Sequence, residues 1–470
     1  MNRLISTLFL LSLWPVAAQE DALKRLDAKA PEYGEIALKV WEWAEMGYQE
    51  NQSSALLQET LEAEGFRIRK GVAGIPTAFV AEYGSGSPVV GVLGEYDALP
   101  GLSQKALPSK ASAGGAAGHA CGHHLFGTAS VAAAIAVRDW LKSSGSEGTI
   151  RFYGCPAEEG GSGKVYMVRA GLFDDLDIAL HWHPGDRNDA SAGAALANKS
   201  AKFRFYGVSA HAAGAPERGR SALDGIEAMN AMVNMMREHI PERARIHYVI
   251  TDGGKAPNVV PDFAEVYYYA RHNNREVVID IFDRIVKAAE GAALGTGTTM
   301  DYEMIGGTHE LLPNIELQQV MYENLEEQAG VTYSAEEMAF AEKIAATLGV
   351  DGVDTEMAAG VQPFKTEGRA YGSTDVGDVS FAVPTAGLRI ATWVPGTPAH
   401  SWQAVAAGGT GIGLKGMMVA ARTLAATAID LMSDPETIAR ARAEFEERRG
   451  PDFSYKPLLG DREPALDYRN

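Results

Sequence analysis

Apolar residues recur at helical spacing through residues 20–65, notably from Ile36 to Trp43 and from Ser54 to Leu61, and Gly65 ends the run. Short strand-like stretches follow, Thr77 to Glu82 and Pro88 to Leu93, the second running into Gly94-Glu95-Tyr96-Asp97. His124 to Leu141 reads as a helix of small residues and Thr149 to Tyr153 as a strand. Gly154 to Gly163 is rich in turn formers, Val165 to Ala170 starts another helix, and Ile178 to His183 reads as a buried strand. Strands alternating with helices predict an α/β fold with a mainly parallel sheet flanked by helices.

The pattern changes near residue 198. Strands are predicted at Ser200 to Gly207, Arg243 to Thr251, Ala264 to His272 and Thr298 to Met304, with helices at Ser221 to His239 and Arg275 to Ala292. The order β-α-β-β-α-β is that of a split βαβ sandwich. It is flanked on both sides by the first pattern, which predicts an inserted α+β domain at 198–311 between catalytic-domain halves at 19–197 and 312–470. The outer domain resumes near Pro313 and carries a helix from Thr410 to Leu431. The charged stretch after Ser433 is expected on the surface.

The 470 residues suffice for two or three folding units, and 46% hydrophobic with 22% charged residues is an ordinary globular composition. The formal charge of −19 repels phosphate backbones and anionic membranes, so nucleic acid is not an expected partner. An anionic substrate would need a local cationic anchor. Met1-Asn2-Arg3, the apolar run Leu4 to Val16 and the small residues Ala17-Ala18 read as a signal peptide over 1–18. A periplasmic or secreted protein is expected, with no membrane contact after cleavage. No later segment is expected to span a bilayer. In an oxidising compartment the two cysteines, Cys121 and Cys155, would by default form a disulfide. Cys121 lies among His119, His123 and His124, which argues instead for a metal-held thiolate.

Four stretches carry candidate chemistry. In Cys121-Gly122-His123, the glycine lets the backbone turn so that a thiolate and an imidazole can reach one cation. The same pair also arises by chance at helix starts. Glu158-Glu159 follows a strand; adjacent carboxylates point different ways, so one can bind a metal while the other takes a proton from water. A solvated acidic loop is the plainer reading. His181 and His183 close a buried strand before Pro184 and share a face, so either can be a ligand. His400 stands alone in the turn-rich run Gly396 to Trp402. Together these supply one thiolate, three imidazoles and one carboxylate for two borderline-soft cations such as zinc or manganese, with one carboxylate spare.

These stretches resemble the amidohydrolase branch of the two-metal exopeptidase and aminoacylase superfamily. The likeness is carried by Gly94 to Leu99, Gly118 to His123, Phe152 to Lys164, Trp182-His183-Pro184, Ser209 to Ala213, Pro257 to Val260, Ser373 to Asp378 and Gly396 to Trp402, in order along the chain. It implies a catalytic domain with an inserted lid and dimerisation domain. It implies metal ligation by Cys121, His123, Glu159, His183 and His400, with Glu158 as general base and acid. His183 is favoured over His181 because the family's ligand lies six residues after an Asp, here Asp177. His211 and Asn258 would reach the reacting carbonyl, His211 in the site of the partner subunit. Arg271 would anchor a substrate carboxylate; a solvated Arg at a strand end is the competing reading. Asp97 would orient a ligand from behind. His124 stands where the family has Asp or Asn, and would be an altered contact behind the ligands or an extra ligand.

The activity implied is hydrolysis of the amide bond of an N-acyl or N-aroyl amino acid of the aminobenzoyl-glutamate kind, or of a dipeptide, by a hydroxide bridging the metals. A homodimer through the lid, and a second related subunit, are the expected partners. Deamination of an aromatic amine, or a non-catalytic binding protein on the same fold, are the competing readings.

Overall fold

The computed structural model describes residues 14–349, 360–368 and 372–469. Three helices open it: α1 (Trp14–Ala28), α2 (Ala30–Trp43) and α3 (Asn51–Ala63). Strands β1 (Arg67–Lys70), β2 (Phe79–Ser85) and β3 (Val89–Glu95) follow, then the short pair β4 (Leu99–Pro100) and β5 (Ala117–Gly118). Next come α4 (His123–Ser144), β6 (Gly148–Cys155), α5 (Gly163–Arg169) and β7 (Ile178–Gly185). After the segment of the second sheet come α8 (Ile315–Gln328), α9 (Ala335–Leu348), α10 (Val376–Ala382), β12 (Thr385–Ala391), α11 (Trp402–Gly408), α12 (Gly411–Ser433) and α13 (Pro435–Arg449).

The first sheet has the order β1-β2-β6-β3-β7-β12. Strands β6, β3, β7 and β12 run parallel, while β2 and β1 add antiparallel at one edge. A parallel sheet is covered on both faces, and the strand residues alternate accordingly. Val90, Val92, Ile150, Phe152, Ile178 and Leu180 join one core with α4 and α12. Leu93, Tyr153, Cys155 and Ala179 join another with α5 and α10. Strand β1, Arg-Ile-Arg-Lys, has no apolar run to reveal it; its pairing to β2 creates it.

Between these halves lie β8 (Ala197–Tyr206), α6 (Ala222–Met236), β9 (Arg245–Asp252), β10 (Phe263–His272), α7 (Arg275–Thr296) and β11 (Thr299–Thr308). They form an antiparallel sheet ordered β11-β8-β10-β9 with the two helices on one face. Its core is its own, built on Phe203, Phe205, Ile226, Val266, Tyr268 and Ile285.

Two expectations need adjustment. The stretch after Ser433 is not a surface tail: Ile438, Ala441 and Phe445 of α13 are buried, as are Leu458 and Leu459. Helix α12 has the length and apolar character to cross a membrane, contrary to the sequence reading, but 83% of its apolar window is buried inside the protein, where it packs on α4. Residues 1–13 of the expected signal peptide lie outside the described residues; α1 runs through position 18, with Ala18 and Ala22 buried against the first core.

Candidate metal centre

The parallel strands β3, β6 and β7 end at one edge of the sheet, and the cluster assembles there. Gly122, at φ 77°, turns the chain into α4. A Cβ at that position would lie 2.7 Å from Pro184, so only glycine allows the approach. The turn places Cys121 and His123 beside His183 of β7, with Cys121 Sγ 3.4 Å from His183 Nε2. The ligand atoms of these three residues lie within 4.8 Å of one another, as do those of Cys121, Glu159 and His400. Cys121 is shared, so the five predicted ligands fall into two adjoining groups. His400 comes from the loop before α11 in a left-handed conformation (φ 59°), its N–H donating to Ala120 O and its Nε2 standing 3.2 Å from Glu159 Oε1.

Asp97 ties the groups together. Its Oδ1 lies 2.8 Å from His123 Nδ1, and its Oδ2 accepts the backbone N–H of Glu159 at 2.9 Å. That contact leaves His123 Nε2 free to face the cluster. The adjacent carboxylates divide as their geometry requires: Glu159 turns to Cys121 and His400, while Glu158 falls within 4.8 Å of His123 and Glu95.

The electrostatics are those of an acid-rich pocket. Burial, then the charges of Glu95 and Glu159, hold the Glu158 carboxyl well above its ordinary range. Burial opposes a charged His123, but Glu95 and Asp97 outweigh it and push its pKa well up. Burial, then Glu159, raises the Cys121 thiol. Burial, then Arg389 and His123, keeps His183 neutral by pushing it well down. Glu159 raises His400 through their contact. Cations placed here would reverse this field.

The donor set fits such cations. His123 Nε2, Glu95 Oε2 and Glu159 Oε1 are buried without a well-formed hydrogen bond, although His123 Nε2 and Glu95 Oε2 are 3.1 Å apart and Glu159 Oε1 is 3.2 Å from His400 Nε2. Buried polar atoms left unpaired are costly, and three converging on one pocket mark a place for a ligand. Thiolate, imidazole and carboxylate donors suit zinc-like ions. Both cysteines are free, so no Cys121–Cys155 bridge competes for the sulfur.

Residues 91–391 match the model of peptidase family M20/M25/M40. The chain belongs to this peptidase family. As a member it is a hydrolase of amide bonds. It is 43% identical to one of the p-aminobenzoyl-glutamate hydrolase subunits of Escherichia coli over 454 residues, 90% of this chain and 93% of that protein. It is 29% identical to a mouse Xaa-Arg dipeptidase over 90% of this chain and 91% of the relative. Its fold matches an aminohydrolase-like protein from Staphylococcus aureus (TM-score 0.66, 17% identity, 88% of this chain and 100% of that one). A dinuclear metal-binding M20 peptidase from Bacillus subtilis also matches (TM-score 0.58, 18% identity, 87% and 99%).

The remaining predicted residues lie elsewhere. His211 is exposed, and its Nδ1 accepts the N–H groups of Ala213 and Gly214 in its own loop. Asn258 is exposed beside it, its carbonyl accepting from Ala212. Arg271 of β10 stacks at 5.0 Å over Tyr269, and its Nε is buried without a partner. His124 stands outside both ligand groups: its Nε2 lies 3.1 Å from Gly408 O, and its ring packs against His119. His181 faces Gly387 of β12 rather than the cluster; a Cβ at 387 would lie 2.1 Å from its Nε2.

Lys164, Glu95 and Asp375, behind the cluster, lie in stretches that carry the resemblance, but the sequence reading gives them no role. Lys164 Nζ is fully buried between Glu95 Oε1 (2.6 Å) and Asp375 Oδ1 (2.7 Å). It holds one oxygen of Glu95, leaving the other to face His123. A lysine early in a short helix whose other residues through Val168 are apolar or glycine was the available signal.

Proposed function

We propose that this chain hydrolyses the amide bond of an N-acyl or N-aroyl amino acid of the aminobenzoyl-glutamate kind, or of a dipeptide, using two divalent cations, zinc or manganese. The observation that carries the reading is the split of Glu158 and Glu159. One carboxylate joins the thiol and imidazole donors; its neighbour stands free beside them. The relatives named for p-aminobenzoyl-glutamate and Xaa-Arg dipeptides, each matched over nine-tenths of its length, support the substrate class.

Cys121, His123, Glu159, His183 and His400 would hold the cations, which would supply Lewis-acid polarisation of the carbonyl and a lowered pKa for water. Glu158 takes the proton of the attacking water and hands it to the leaving amine nitrogen. His211 of the partner subunit, in the loop between β8 and α6, donates to the carbonyl oxygen as negative charge develops. Asn258 lines the same carbonyl, and Arg271 pairs with the substrate carboxylate.

The second sheet serves as lid and dimerisation surface; Tyr248, Val249 and Ile250 stand exposed on its edge strand β9, which supports this assignment. Pairing with a second, related chain is supported by the relatives in Escherichia coli, where two different p-aminobenzoyl-glutamate hydrolase subunits are similar to this chain. Export to the periplasm or beyond rests on the basic-then-apolar start of the sequence.

The test combines metal analysis with a screen of N-acyl amino acids. Bound zinc or manganese and release of a free amino acid are expected, and Glu158→Gln should lower kcat by about 10²–10⁴-fold. Ammonia as the only product, or unchanged hydrolysis by Glu158→Gln, overturns the reading.

A further inference from the structure

Residues 451–469 carry no regular apolar period, yet they are tied to three parts of the molecule. Tyr455 donates to Asp378 Oδ1 at 2.7 Å, and the ring of His309 donates to Lys456 O at 3.0 Å. Leu458 enters the core of the second sheet, and the next residue, Leu459, enters the core beneath α5 and α10. Arg462 donates to the carbonyls of Met304 and Ile305 in β11, and Arg169 of α5 donates to Arg462 O at 2.7 Å. The segment is therefore a strap that clasps the strand by which the chain leaves the second sheet.

The strap ends on the acid loop. Tyr468 Oη donates to Glu159 O at 3.0 Å, and Arg469 donates to the same carbonyl. The Arg469 guanidinium lies 4.7 Å from the Tyr468 ring, which meets Tyr48 edge-on at 5.5 Å. Tyr48 in turn donates to Gly161 O at 2.7 Å. Gly47 admits the tyrosine, since a Cβ there would lie 2.2 Å from its hydroxyl.

The loop needs this support. Ala157 (φ 55°) and Ser162 (φ 61°) are left-handed without being glycine, a conformation that persists only where the surroundings over-determine it. The peptide groups of Glu159 are fixed on both sides: Asp97 accepts the N–H, while Tyr468 and Arg469 hold the carbonyl. Asp97 also orients His123.

We propose that Tyr468 and Arg469 are positioning residues of the metal centre. They fix the Glu159 carbonyl, and through it the directions of the Glu158 and Glu159 carboxylates, and the strap that carries them is keyed to β11 by Arg462. The proposal rests on the roles given above to Glu158 and Glu159.

Tyr468→Phe removes one oxygen, and Arg469→Ala removes the second donor. Each should lower kcat about tenfold, with KM within about twofold and with metal affinity, read by chelator competition, also down about tenfold. Arg469→Lys should restore part of both losses. A purely structural strap would lower the melting temperature and leave the metal affinity and kcat of the folded protein unchanged. Variants within about twofold of the parent in both readouts overturn the proposal, whatever their melting temperature. Glu158→Gln, measured in parallel, separates the failures: if it abolishes hydrolysis while Tyr468→Phe does not weaken it, the strap proposal alone falls.

Discussion

The two sets of residues assigned to catalysis are built very differently. Cys121, His123, Glu158, Glu159 and His183 lie at the C-terminal edge of the first sheet, and Asp97 and Lys164 brace them from behind. Only His400 among the proposed ligands is largely exposed. His211 and Asn258 of the second-sheet segment are exposed; His211 is bonded within its own loop, and Asn258 O accepts from Ala212 of that same loop. The difference follows from what each set must do. Ligands for small, highly charged ions must stand within a fraction of an ångström of their places before the ion arrives. A group that touches only the substrate carbonyl can arrive with a closing lid or from a neighbouring protomer.

The strongest test of this contrast is His211→Ala. Removing a donor to a developing oxyanion costs about 10²–10³-fold in kcat. Metal content should not change, because His211 stands outside both ligand groups. Mixing His211→Ala subunits with Glu158→Gln subunits should restore activity if each site takes its histidine from the partner. Mixed dimers as inactive as either parent would place His211 on its own subunit's site or outside catalysis altogether.

Asp97→Asn tests the braced half. The amide keeps the size but loses the charge that sits against His123, and it can no longer reliably accept from both His123 and the Glu159 N–H. Metal affinity should fall by about 10–100-fold, with activity recovering at high metal concentration. An affinity within about twofold of the parent would show that the ligands hold their places unaided.

Much of this half was legible in the sequence, because its signals are local. Gly122 between Cys121 and His123, the paired glutamates after a strand, and Pro184 next to His183 each mark proposed ligands within a few residues. The choice between His181 and His183 was not local. Both face one side of β7; the spacing from Asp177 favours His183 through the resemblance alone, and the fold then sets His183 against Cys121 while His181 packs over Gly387. Strand β1 and the strap were illegible for a related reason. Neither carries an apolar period; the strand takes its place only by pairing with its neighbour β2, and the strap by partners distant in the chain, Met304, Asp378 and Glu159. Lys164 likewise gains its meaning only when Glu95 and Asp375, far apart in sequence, meet it in the interior.

The smallest predicted effect concerns the carboxylate beneath the acid loop. Glu50 is wholly buried, accepting Ala157 N–H at 2.8 Å and the Thr77 hydroxyl at 2.9 Å. Burial, then the nearby charge of Asp97, holds its carboxyl well above the ordinary range. The folded protein therefore keeps a proton that the unfolded chain releases near pH ~4.3. Below that value the protonated group contributes its full stability; above it the contribution declines, until the folded group also ionises. Glu50→Gln keeps an acceptor for Ala157 and removes the titration. Denaturant unfolding of metal-free protein at pH 5, 6 and 7 should show the parent losing stability relative to the variant as pH rises, by at most about 1.4 kcal/mol per pH unit. Parallel curves would mean that Glu50 is ionised in the fold. The acid loop would then rest on a charge-assisted bond, and bracing at that point would strengthen, rather than weaken, above the carboxylate's ordinary pKa.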